Sequence, residues 1–179
     1  MSTLTVQNIQ GSTSSSNTIN VASGHVLHAP GHIIQAVTAE HSAYVTTTSS
    51  SYSDTGLQAT ITPKHASSHI LVVCSVQAGQ SGANGHQCYC RILRSGDSTM
   101  IGGEGQRFTY ARIEDGSSNM HTSSYKTIIR KDTSHNSTSA QTYKFQHKVA
   151  SGGGTLRHND YATGTSPEQS TMLLMEIAQ

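Results

Sequence analysis

Histidine stands out among the side chains in this sequence that could do chemistry: eleven occur in 179 residues. Their closest grouping is His25, His28 and His32. Imidazole ligates zinc, iron or nickel, and a threefold assembly could gather one such side chain per chain on its axis. However, spacings of three and four residues fall on one face only of a helix, and Pro30 and Gly31 oppose a helix there. The grouping therefore reads as unliganded. The run His86-Gln87-Cys88-Tyr89-Cys90 carries ligand atoms suited to zinc, but its two cysteines lack a matching second pair. Read as a strand, Cys88 and Cys90 point the same way, where a bridge would be strained. With an odd total of three cysteines, they are expected to be reduced core residues. Asp54, two residues before Gly56, reads as a turn residue whose carboxylate accepts from nearby backbone N–H groups. Asn136-Ser137-Thr138 matches a glycosylation acceptor, which has meaning only in a secreted chain. There is no Gly-x-Ser-x-Gly elbow, no phosphate-cradling glycine loop and no close carboxylate pair. The expectation is a protein that is not an enzyme, with no catalytic residues, cofactor or metal.

The elements that would position these residues are strands. Leu57, Ala59 and Ile61 alternate with Gln58, Thr60 and Thr62, the period of two of a half-buried strand. Pro63 ends that strand because it has no N–H to donate. Residues 70–76 then form an apolar run rich in β-branched residues, expected to be covered on both faces. Joined by a short polar loop, these two strands are expected to pair antiparallel. Further strand patterns lie in residues 33–45, 87–94, 107–113, 124–130, 141–149 and 172–177. Residues 79–85 and the glycine-rich stretch up to Gly105 read as loop or turn. About eight strands without a helix predict an all-β protein, an antiparallel β-sandwich, with a jelly roll as the topology. Residues 33–179 form this domain. Residues 1–32 form an extended N-terminal arm in which Leu4, Val6 and Ile9 are the apolar anchors ahead of the flexible GSTSSS run at 11–16.

Composition narrows the partners. Hydrophobic residues make up 34% and aromatics 5%, with no Trp, so one chain buries a lean core and a homo-oligomer, a trimer, is expected to complete it. Eleven Lys plus Arg against ten Asp plus Glu, without a cluster, leave no footprint for nucleic acid. No apolar run approaches the ~20 residues needed to span a bilayer, and no leader pattern opens the sequence, so no membrane insertion or export is expected.

Tyr52, Asp54-Thr55-Gly56-Leu57, Ala59, Ile61-Thr62-Pro63, Ser67-Ser68 and Ile70-Leu71-Val72 together resemble a segment found in small virion proteins of tailed bacteriophages, tail-fibre-like proteins of phages of aquatic bacteria. The likeness extends to residues 5–11 and 17–19, to Pro30-Gly31-His32-Ile33-Ile34-Gln35, and to residues 172–178. It implies a virion location and assembly with other capsid or tail proteins. Two roles follow: a fibre or capsid-decoration component attached through the arm, or a host-receptor-binding knob gripping a surface glycan or protein. Tyr110 and Tyr161, aromatics outside the clearest core patterns, are the candidate receptor-facing residues.

Overall fold

The computed structural model describes residues 29–82, 86–111, 120–150, 154–159 and 168–179. These form ten strands: β1 (Ile33–His41), β2 (Val45–Thr47), β3 (Ser53–Ile61), β4 (His69–Gly82), β5 (His86–Arg94), β6 (Thr99–Ala111), β7 (Met120–Asp132), β8 (Gln141–Val149), β9 (Thr155–His158) and β10 (Ser170–Ile177). No helix occurs among the described residues. Two antiparallel sheets pack face to face as a β-sandwich.

In the first sheet, β4 is the spine. β7 pairs along one edge of it from Ile70↔Asp132 to Gly82↔Met120. The other edge is shared end to end, β10 taking residues 69–75 and β9 taking residues 78–81. β1 extends the sheet beyond β10, and β2 extends it beyond β9. The second sheet has the order β3-β8-β5-β6.

The alternating patterns set which side chains enter the core. Thr55, Leu57, Ala59 and Ile61 of β3 are buried, while the residues between them are exposed. Ser170, Met172, Leu174 and Glu176 of β10 are likewise buried, with half-buried residues between them. Leu57, Ala59, Ile61, Met172 and Leu174 join Ile70, Val72 and Cys74 from β4 and Tyr143 and Phe145 from β8 in one continuous core.

Four expectations are corrected. β3 and β4 do not pair: β3 lies beside β8 in one sheet and β4 belongs to the other, because residues 62–68 cross between sheets instead of turning within one. Residues 70–76 are not covered on both faces within one chain. Val72 and Cys74 are fully buried, but Leu71, Val73 and Ser75 on the outer face are only half-buried. Burial of both faces comes one turn of the pleat later, at residues 76–80. The spine strand also runs on to Gly82, through part of the expected loop. Finally, the glycine-rich stretch is the first half of β6. Gly102 and Gly103 have φ of 83° and 91°, and the β5–β6 register slips there between Cys90 and Ile92. A Cβ at Gly102 would lie 2.2 Å from Arg130 Cδ, so the glycine serves both the bulge and the passage of that side chain.

Candidate binding surface and buried polar clusters

The outer face of the β3-β8-β5-β6 sheet is polar and aromatic. Tyr52, one residue before β3, has the Arg91 guanidinium 4.1 Å from its ring centroid and Lys148 Nζ at 4.6 Å. A Cβ at Gly105 would collide with the Tyr52 hydroxyl, so glycine there lets the tyrosine lie across the sheet. Lys148 also stands 5.8 Å from the Tyr89 ring, and the Tyr89 hydroxyl donates to Gln87 Oε1 at 2.8 Å. Arg91 Nε donates to Gln146 Oε1 at 2.7 Å, and Gln146 Nε2 donates to Asp54 Oδ1 at 2.6 Å. Lys144 Nζ meets Asp54 Oδ2 at 2.8 Å.

The reading of Asp54 as a turn residue is therefore corrected. It sits on β3 opposite Gln146, and its side chain reaches across to β8. Partial burial works to raise its pKa, but the bonds from Lys144 and Gln146 outweigh that and hold it below the usual carboxylate range. Aromatic faces beside cations and fixed amides are the groups that recognise hydroxyl-rich or anionic ligands.

Two buried clusters fasten the sheets together. Arg94 of β5 bonds Asp132 of β7 at 2.5 Å, with side chains 4% and 0% exposed. The Tyr143 hydroxyl donates to the same carboxylate at 2.7 Å, and Ser134 N donates at 2.8 Å. Arg94 also pairs with Asp97. Burial, followed by the Asp132 carboxylate, raises the Tyr143 hydroxyl pKa. For Asp132, the bonds from Ser134, Tyr143 and Arg94 outweigh the burial that would raise it. A buried pair with its lone pairs occupied is structural: removing either partner strands a charge in the core.

The second cluster centres on Glu176, fully buried. Its carboxylate accepts from Lys64 N at 2.8 and 2.9 Å, His65 N at 3.0 Å, Ser68 Oγ at 2.7 Å and Gln35 Nε2 at 2.6 Å. Here too burial opposes ionisation and the bonds win, holding the pKa down. This carboxylate is what holds the sheet-to-sheet crossover at residues 62–68. The sequence reading took residues 172–177 simply as a core strand. The available signal was a single carboxylate in Met172-Leu173-Leu174-Met175-Glu176-Ile177, at a position whose alternation faces inward.

His147 of β8 and His158 of β9 are each 1% exposed, with ring centroids 4.6 Å apart. Burial pushes their pKa values down to about 4 and about 3, so both are neutral at pH 7. The same burial raises the Cys74 and Cys90 thiols to about 12. Cys74, Cys88 and Cys90 are all buried and none is in a disulfide, so they are core residues as expected. Among the described residues no group of three or more His, Cys, Asp or Glu side chains is placed to hold a metal ion.

Of the residues singled out in the sequence, Leu4, Val6, Ile9, His25, His28 and Tyr161 lie outside the described residues. Tyr110 lies on β6 opposite Gln87, its side chain outside the description. His32 is exposed immediately before β1. Sequence reasoning missed the Tyr52 surface because its members come from four separate stretches that only the sheet order unites. The chain matches no protein-family model and no curated protein sequence.

Proposed function

We propose that this chain is a structural component of a tailed-phage particle, acting as a homo-oligomer in a fibre or capsid-decoration role and attached through its N-terminal arm. The observation that carries the reading is the strand pairing. Set aside the short β2 and β9, and number the remaining eight strands in chain order. The first then pairs the eighth, the second the seventh, the third the sixth and the fourth the fifth. That nested pairing is what a long antiparallel ribbon gives when it is rolled up, and it supports a jelly roll, a topology used by viral capsid and lectin domains. The resemblance of residues 52–72 to phage virion proteins points the same way. Leu4, Val6 and Ile9 are the proposed contacts with a capsid or tail protein.

The test is immunogold labelling and mass spectrometry of purified particles of the phage that encodes the chain. The expected result is a fixed copy number on the particle, lost when residues 1–20 are deleted while the sandwich stays folded. Absence from purified particles would overturn the reading. A second reading, a receptor-binding knob, is favoured by the Tyr52, Tyr89, Arg91 and Lys148 surface, and Tyr110 and Tyr161 remain its other candidates. Saturable binding of purified protein to host cells, reduced by Tyr52→Ala, would select it.

A further inference from the structure

We propose that two copies of this chain meet through the outer face of the β1-β10-β4-β7 sheet, packed face to face about a twofold axis. The register aligns the outward side chains in rows. One row is Ala36, Met175, Leu71 and Lys131; the next is Thr38, Leu173, Val73 and Ile129; the next is Glu40, Thr171, Ser75 and Thr127. Ile177, opposite Ile33, adjoins the first row. The middle of this surface is aliphatic. Ile129 is 54% exposed and Ile33 is 49% exposed, while Leu71, Val73, Leu173 and Met175 are each only half-buried. Four strands at about 4.8 Å spacing and the three named rows at about 6.8 Å, which are what an orthogonal partner can cover, give about 400 Å² a side. Two such faces bury about 800 Å², the size of a weak, reversible contact.

The rim indicates that the occupant is a second copy. Its charged members in these rows are Lys131, on β7 in the Leu71 row, and Glu40, on β1 in the Ser75 row, both exposed. They stand at diagonally opposite corners of an area about 14 Å by 14 Å. Sheets pack either nearly aligned or nearly orthogonal. In the orthogonal arrangement, a twofold along the other diagonal exchanges those corners, setting each Lys131 over the other copy's Glu40 and the central Leu173 and Val73 of the two copies against each other.

Contact through the open edge of β7 is disfavoured. Lys126 and Arg130 lie opposite Val76 and Val72, on the inward side, and inward charges on an edge strand block edge-to-edge pairing. A threefold ring needs two different complementary patches on each chain. The other sheet's outer face, with Tyr52, Arg91, Lys148 and Asp54, is polar and does not supply the second.

The test is sedimentation of the full chain between about 1 and 100 µM, the micromolar range in which a weak, reversible contact forms. The wild type is expected to be a dimer. Glu40→Lys or Lys131→Glu alone should weaken association about tenfold, and the double variant should restore it to within about threefold. Val73→Arg should be a monomer with the wild-type circular-dichroism spectrum. The two rim changes are at exposed positions, so they keep the test decisive should Val73→Arg not fold. A wild-type monomer, including one whose residues 1–28 cover the face, would overturn the proposal, as would a trimer. A dimer indifferent to all four variants, or single-charge losses that the double variant does not repair, would overturn it while leaving the virion role untouched.

Discussion

Glu176→Gln isolates the energetics of the sheet-to-sheet crossover. The wild-type carboxylate has four donor groups converging on it in a fully buried position. Glutamine keeps the shape and one oxygen, but turns an NH₂ toward donors that also carry hydrogen. At least one donor, from Lys64 N or Gln35 Nε2, is then left facing another donor. Losing charge assistance and stranding one buried donor costs about 2–4 kcal/mol. For a chain of this length that lowers Tm by roughly 5–15 °C. The pH dependence supplies the sign. The folded-state pKa is held below the ordinary 4.5, so the stabilisation is complete above the unfolded pKa and fades as pH falls through the folded one. The assay is calorimetric unfolding of wild type and variant at pH 7 and pH 3. The Tm gap should be large at pH 7 and smaller at pH 3. A gap below about 2 °C at pH 7 would refute the view that this carboxylate holds the crossover, and a gap unchanged at pH 3 would refute its charge as the cause.

Val72→Asp should abolish soluble expression, since an unpartnered carboxylate at a fully buried site costs several kcal/mol of a marginal total. Val73→Asp, on the half-buried outer face, should stay folded; comparing soluble yields checks both. Wild-type stability should fall as pH drops from about 6.5 toward 4, because His147 and His158 have depressed pKa values and the unfolded chain binds more protons in that window. His147→Leu should flatten this slope in a series of melts against pH. At pH 8 the three cysteines should resist iodoacetamide in the native protein and be fully alkylated after unfolding, read by mass spectrometry, because all three are buried and burial keeps Cys74 and Cys90 as thiols.

Much of the sandwich is legible in the sequence because a period of two is a local signal. Leu57-Ala59-Ile61 and Tyr143-Phe145-His147 face inward as their alternation requires. Pairing is not local. Nothing in residues 62–68 distinguishes a hairpin loop from a crossover, and the difference lies in Glu176, more than a hundred residues away. The short β9 escapes notice because four residues carry too little pattern, and glycines inside β6 look like a turn until Arg130 and Tyr52 are seen filling the space that they leave. The Tyr52 surface is hidden for a related reason. Tyr52, Tyr89, Arg91 and Lys148 become neighbours only once β3, β8 and β5 are laid side by side.

The divided edge of β4 has a consequence for how the chain reaches this structure. β4 can meet β7 early in synthesis, yet half of its other edge waits for β10, and β1 has no partner in its sheet until β10 arrives. The Gln35–Glu176 bond closes a separation of 141 residues. Ordering so distant a contact comes at the end of a slow search. Until then the apolar edge of β4 and the unpaired β1 are open to other nascent chains. Crowded synthesis of many copies is therefore the condition under which this chain is most exposed to mispairing, and slower synthesis or a holding chaperone is what would raise its yield.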